Sequence, residues 1–467
     1  MVHSTADAEP SEAGADEGSE LEAFGYRQEL KRSLSLVDLL VYGLVFISPT
    51  APWAVFGFVY NASKGMAPLI YALGLGAMVF TAISYSTMAR VFPVAGSVYA
   101  YAARGIGQSA GFLAGWAILL DYLLIPSLCY VFCAAAVHAI APDVPKAALV
   151  VALLVGITVV NLAGVQAAAG MNKLILLVQL VVVAAFVALA LIGLAHGTNG
   201  AHLSWAPLLQ PSKVTPGLLF GALSLAALSF LGFDAISTMA EEAKGGARAV
   251  GVATILSLVL SASLFMLQTY LASLFVLGRS SFAPGSDTDA AFLHIAQAIG
   301  GPLMEISASL FGIALACVAG ALVGQGAAAR LIYGMSRDRQ LPTWLGHIHG
   351  KRKTPDRAVL LIAALTMAIS LTMLDRLETL TSVVNFGALT GFLMLHASVL
   401  IHFGLKPGRK WLPHLAVPII GFAVIAYVLI NTDITAKIAG FAWLSVGVAV
   451  LLWLKWKGRP LARPDEG

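Results

Sequence analysis

From Leu34 onward the chain alternates between apolar stretches of about 20 residues and short polar connections, and each stretch is long enough to cross a hydrocarbon core of ~30 Å. Twelve such stretches are expected, at 34–60, 67–90, 109–138, 147–165, 172–195, 216–242, 249–277, 302–333, 357–374, 379–403, 412–430 and 434–455. Two of them are interrupted. In the first, Ser48-Pro49-Thr50-Ala51-Pro52 breaks the helical run, because each proline lacks a donor and disfavours a helical residue before it. In the sixth, Ser229-Phe230-Leu231-Gly232-Phe233-Asp234 puts a glycine and an acid at membrane depth. Non-helical backbone is tolerated there only where it is buried in protein or lines a cavity. Breaks at corresponding positions of two five-helix halves point to an inverted-repeat transporter with its site near the midplane.

Composition supports the same class. Of 467 residues 59% are apolar and only 11% charged, too little polar side chain for a water-facing globule. The expectation is an all-α polytopic membrane protein of twelve transmembrane helices. Residues 1–33 differ, with eight acids and the bases Arg27, Lys31 and Arg32. They read as a solvated, disordered acidic tail without the pattern of a signal peptide. The membrane body is expected over 34–455, with repeats at about 34–195 and 216–403 and extra helices at about 412–455. A second tail follows over 456–467.

With the N-terminus inside, 22 of the 28 Lys and Arg fall on the cytoplasmic side and one in each outer loop. This bias places both termini in the cytoplasm and the protein in the cytoplasmic (inner) membrane. The net charge of +4 reflects those loops rather than a nucleic-acid partner. Three cysteines, Cys129, Cys133 and Cys317, cannot make a disulfide framework or a zinc site. No cofactor, metal or obligate protein partner is expected.

Acids inside a membrane need a reason. Asp121 in the third span and Asp234 at the sixth-span break are the two deep ones, and no Lys or Arg lies mid-span to pair with them. The functional reading is a cation or proton site. For Asp121 the alternative is an acid bonded to a neighbouring helix. His396 and His402, in the tenth span, read as bonded or interfacial residues more readily than as relays. His347 and His349 lie in a basic loop without a metal pattern. Glu241, Glu242, Arg330, Arg337 and Asp338 cluster at cytoplasmic span ends, where opposite charges form gate ion pairs or snorkel to the interface.

These residues resemble the amino acid–polyamine–organocation permeases. The resemblance rests on Ser229–Asp234 with Glu241-Glu242-Ala243-Lys244, on Ala329-Arg330-Leu331-Ile332-Tyr333-Gly334-Met335-Ser336-Arg337-Asp338 with Leu341-Pro342, and on Pro93-x-Ala-Gly96-Ser-x-Tyr99. Leu120-Asp121-Tyr122 through Pro126, and Gly43 with Ser48-Pro49, are most similar to the putrescine-importer branch. The resemblance implies a five-plus-five inverted repeat plus two helices. It also implies a substrate site between the first, third, sixth and tenth spans: Ser48, Thr50, Ala51, Asp121, Tyr122, Phe230, Gly232, Asp234 and Asn385. A glycine-rich first-span break in that family receives a substrate carboxylate on backbone amides. Here two prolines stand in it, which weakens carboxylate capture. A fifth-span lysine of some members matches the neutral Gln179.

The function expected is secondary transport of a small amine-bearing solute, a polyamine such as putrescine or an amino acid, coupled to protons or to exchange. A permease selective for amino acids is the alternative. An intramembrane aspartyl protease also needs two membrane aspartates, but the order of Asp121-Tyr122 is reversed, Gly-x-Gly-Asp is absent and twelve spans are too many. No filter-like loop argues for a channel, and no nucleotide-binding loop argues for ATP hydrolysis.

Overall fold

The computed structural model describes residues 28–92, 94–140, 143–374, 377–404, 406–432 and 434–457. Among them every regular element is helical, and the backbone pairs in β fashion only at one isolated bridge between Leu34 and Ala243.

Each of the twelve apolar stretches becomes helix. The first is a bent pair, α1 (Leu36–Ile47) and α2 (Ala51–Ala62), whose axes turn by 43°. The Ser35 side chain accepts from Asp38 N–H while the Asp38 carboxylate accepts from Ser35 N–H, a reciprocal cap that fixes the start of α1. Pro52 falls in the first turn of α2, where its missing N–H costs nothing. Next come α3 (Ala67–Val91), the short α4 (Val98–Gly105), α5 (Gln108–Ile140), α6 (Lys146–Ala163) and α7 (Val165–Ala195). The sixth span begins as α8 (Pro216–Ala227), tightens at Leu228–Phe230, and resumes after Gly232 as a 3-10 segment, Phe233–Glu242. A 3-10 run of ten residues is unusual, since such runs seldom exceed three or four.

The second half continues with α9 (Gly246–Leu274), the small α10 (Ser286–Asp289) and a long eighth span. That span runs as α11 (Ala291–Ser307), a π-helical stretch at Ala308–Ala314 and α12 (Leu315–Arg337). The last four are α13 (Asp356–Thr372), α14 (Leu377–Gly404), α15 (Val417–Ile430) and α16 (Ile434–Trp456).

Among the described residues ten helices are long and apolar enough to cross a membrane, or up to eleven with the bent pair counted as one span. The expected ninth span falls short of that measure: α13 has 17 residues, about 26 Å at 1.5 Å per residue. The chain is a multi-pass membrane protein. Leu174, Leu177 and Val181 on α7 and Ile438, Phe441 and Leu452 on α16 are exposed, an apolar jacket that only hydrocarbon would cover.

The core is built around α5, which lies against α12 and α14. Gly387 on α14 lets that helix touch α5 at Asp121, because a Cβ there would sit 2.7 Å from Ala117 O and 2.9 Å from Asp121 N. On the other side of α5, Trp116 and Trp443 clamp α16 by reciprocal bonds. Each indole N–H donates to the other's backbone carbonyl, at 2.9 and 2.7 Å, with the rings stacked at 4.7 Å.

The structure departs from the expected tail boundary. Residues 1–27 and 458–467, parts of the two expected tails, lie outside the described residues. From Gln28 to Ser33, however, the chain runs along the body with Gln28, Glu29 and Lys31 exposed and Leu30 only 2% exposed. Pro93 of the third-span motif also lies outside the described residues.

Candidate functional site

At the first break, α1 ends because Pro49 cannot continue its ladder, and Ser48 adopts φ 61°, a left-handed value rare outside glycine. The break is tied to three other spans. Gln179 Nε2 on α7 donates to Ser48 Oγ at 3.2 Å, and Ser48 Oγ and Thr50 Oγ1 are bonded at 3.1 Å. Thr50 Oγ1 donates to Gly312 O at 2.8 Å. Gly312 lies in the π-helical stretch of the eighth span, where a widened turn takes carbonyls out of the regular ladder. Gln268 Nε2 on α9 donates to Pro49 O at 3.0 Å. The amides of the break are largely used internally: Ser48 N–H bonds to Leu44 O, Ala51 N–H to Ser48 O and Trp53 N–H to Thr50 O. Ser48 and Thr50 are buried and Ala51 is half-buried.

At the second break Gly232 has φ 116°, and a Cβ there would lie 2.9 Å from the Phe46 ring. Only glycine combines that backbone with that contact. The turn brings Asp234 against α5. Tyr122 OH donates to Asp234 Oδ2 at 2.6 Å, while Asp234 Oδ1 has no partner. Asp121, next in the chain to Tyr122, has neither carboxylate oxygen bonded. Asp121, Tyr122, Phe230 and Asp234 are all fully buried. Phe230 instead packs with Tyr71 and Phe265, and so shapes the wall behind the break. Asn385 on α14 has a buried amide oxygen without a partner.

Sequence reading passed over several neighbours. Tyr85 on α3 stands edge-on to Phe233 (6.1 Å, 87°) and Phe392 (6.0 Å, 90°), beside the acid-bearing turn. Ser237 Oγ donates to Ser97 Oγ at 3.0 Å and lies 2.6 Å from Asp234 O. Tyrosines and serines are ordinary in membrane helices, so nothing in the chain marks these. His396 is a tie between helices, its ring nitrogens 3.0 Å from Ser84 Oγ and 3.2 Å from Thr81 Oγ1.

Both sides of the acid pair are closed. On the α2 side, Trp53 stacks on Phe292 at 4.6 Å, Phe186 meets Phe292 at 4.8 Å, and Phe282 meets Tyr60 at 5.2 Å. Tyr60 OH donates to Val276 O and Arg279 O, and the Asn61 amide brackets Phe282, which pins the loop after α9 onto α2. On the other side the expected charged cluster forms two ion pairs. Arg330 grips Glu242 through Nε (2.6 Å) and Nη2 (3.1 Å), and Arg337 grips Glu241 through Nη2 (2.7 Å) and Nη1 (3.0 Å). Both acids are buried, so removing either arginine would leave an uncompensated buried charge. Glu241 Oε1 also accepts from Ala95 N–H at 2.9 Å. Asp338 accepts from Tyr99 OH at 2.5 Å.

A family model described as amino acid permease matches residues 37–453. The low-affinity putrescine importer of Escherichia coli K12 is 30% identical over 432 residues, 91% of this chain and 94% of the importer. A branched-chain amino acid permease of Bacillus subtilis is 26% identical over 455 residues, 91% and 93% of the two chains. A methylthioribose transporter of B. subtilis is 26% identical over 468 residues, 92% and 95%. With the match running from α1 to the last helix, the chain belongs to the amino acid permease family, and it is a membrane transporter, not an enzyme.

Proposed function

We infer that this permease carries a small organic cation, a diamine of the putrescine type, by alternating access around the Asp121–Asp234 pair. One observation carries the reading: two fully buried carboxylates receive between them a single side-chain donor, Tyr122 OH on Asp234 Oδ2. Two like charges at that depth require neutralisation, by protons or by a bound cation. An ammonium supplies charge and three N–H donors at once. A substrate carboxylate, by contrast, would need donors at the first break. Pro49 and Pro52 have none, and the Ser48, Ala51 and Trp53 amides are already bonded. The 30% identity to a putrescine importer agrees with the ranking.

Substrate contacts are assigned to Asp121, Tyr122 and Asp234, with Ser48, Thr50, Ala51, Phe230, Gly232 and Asn385 as the surrounding wall. Glu241, Glu242, Arg330, Arg337 and Asp338 form the inner closure. The positive-inside bias puts that closure and both termini on the cytoplasmic side. The two breaks at corresponding positions support a pair of inverted repeats. For coupling we assign protons or exchange with internal substrate. The place between first and eighth spans is bridged by neutral groups, Gln179, Ser48, Thr50 and the Gly312 carbonyl.

An amino acid substrate is the second reading, favoured by the branched-chain permease among the relatives. Thermal stabilisation of purified protein separates the two, because a ligand bound only to the folded state raises the melting temperature. Putrescine is expected to stabilise and leucine not. Stabilisation by leucine alone would reverse the assignment.

A further inference from the structure

The segment leading into α1 is fastened to the same corner as the two ion pairs. Ser33 and Leu34 each donate a backbone N–H to Glu242 O at 3.0 Å, and Lys244 N–H returns a bond to Leu34 O at 2.8 Å. Gln28 Nε2 donates to Glu241 O at 2.9 Å. Glu29 Oε2 accepts from Tyr333 OH at 2.9 Å, and the same hydroxyl lies 3.2 Å from Arg337 Nη1. Leu30 and Leu34 are 2% and 3% exposed. Lys31 Nζ reaches Gln166 Oε1 on α7 at 3.3 Å.

Glu241 and Glu242 are therefore held at both ends. Their carboxylates grip arginines of α12, and their backbone carbonyls, at the end of a 3-10 segment where partners run out, are capped by the strap. The strap touches three elements at once: the Phe233–Glu242 segment, α12 and α7. A rigid appendage of one element would not need the other two. Any inner path to Asp234 requires these elements to part, and they cannot part widely while all the strap's bonds persist. Beside the strap lies a cavity of about 20 Å³, room for one water, with Leu34, Asp38, Asn161, Asn172, Met239 and Arg330 in its wall. Both amide atoms of Asn172, which lines this cavity, lack partners.

We propose that Gln28–Leu34 is a latch, a strap of the chain's own that holds the inner closure shut and sets how often it opens. The latch acts for whichever solute the permease carries, so its failure would leave the substrate reading standing, and the reverse.

The test uses full-length protein in inside-out vesicles with Cys129, Cys133 and Cys317 replaced by alanine and a reporter Met239→Cys at the cavity wall. Modification by a membrane-impermeant methanethiosulfonate is timed with the strap intact and with Gln28→Ala/Glu29→Ala/Leu30→Ala. Loosening the strap is expected to speed labelling at least about tenfold, a change that the loss of one or two of its hydrogen bonds would already give. Equal rates in the two proteins overturn the latch. Should the triple variant fail to elute as a folded species, Glu29→Gln replaces it. There about a twofold acceleration is expected from weakening one charge-assisted bond, and an unchanged rate overturns the proposal.

Discussion

Tyr122 on α5 and Asp234 at the sixth-span break are joined by a hydrogen bond of 2.6 Å, with both side chains fully buried. The bond fixes one oxygen of Asp234 and leaves the other free. It also brings the chain neighbour of Tyr122, Asp121, into the field of that carboxylate. In this arrangement Tyr122 is the one side-chain donor that the two carboxylates receive.

Removing the acid should therefore abolish function without unfolding the chain. Asp234→Asn keeps the shape and an acceptor for Tyr122 but loses the charge, and we expect no measurable uptake at normal expression and melting temperature. Wild-type uptake by that variant would remove Asp234 from the site.

Tyr122→Phe tests positioning. A hydrogen bond to a charged group is worth ~1.5–3 kcal/mol, which corresponds to a roughly ten- to hundredfold loss in uptake efficiency. The loss should fall mainly on KM, since the carboxylate remains but is no longer held. An unchanged KM with reduced kcat would contradict a positioning role.

The ion pairs Arg330–Glu242 and Arg337–Glu241 give a stability prediction with a built-in control. Arg330→Ala leaves Glu242 buried and uncompensated, and should cost ~3–5 kcal/mol. Replacing the pair together, Arg330→Met with Glu242→Leu, should recover most of that stability while leaving the inner side less tightly closed. Melting curves of the two variants decide it, and equal losses would mean that the pair is not energetically coupled.

Gly232→Ala should be poorly tolerated for two separable reasons. The left-handed backbone costs an alanine about 1–2 kcal/mol, and the new methyl would meet Phe46 at 2.9 Å. Pairing it with Phe46→Leu should recover part of the lost stability, leaving the backbone cost. No recovery would place the whole effect in the backbone.

These predictions draw unequally on the sequence. The breaks were legible because Pro49, Pro52 and Gly232 are residues whose backbone chemistry acts locally. The acids and the ion-pair partners were legible because charge is scarce in an apolar chain. What was not legible is tertiary. Gly312 offers its carbonyl only because the helix widens to π geometry, and nothing in Ala308–Ala314 announces that. Tyr85 and Ser237 reach the acid-bearing turn through packing, with no charge to draw attention. Gln28–Ser33 reads as solvated because its polar atoms are described by composition, whereas their bonding to Glu241, Tyr333 and Gln166 depends on elements more than 130 residues away.

Coupling follows from the first break. A sodium ion would need several oxygen ligands, and here Ser48 Oγ accepts from Gln179 while Gly312 O accepts from Thr50, with no acid at the break. Uptake in proteoliposomes is expected to be unchanged when sodium is replaced by potassium or choline, and to respond to a proton gradient or to internal substrate. Strict sodium dependence at fixed pH and zero membrane potential would overturn this.

The most direct measurement of the central claim is counterflow. Proteoliposomes loaded with unlabelled putrescine are placed in a trace of labelled putrescine, and external ornithine or leucine is titrated in. If the Asp121–Asp234 pair selects an organic cation over a carboxylate-bearing one, labelled putrescine accumulates transiently and ornithine competes at least about tenfold more weakly than unlabelled putrescine, a difference of ~1.4 kcal/mol. Ornithine or leucine competing more strongly than putrescine, or an absence of putrescine counterflow in protein that exchanges leucine, would contradict it.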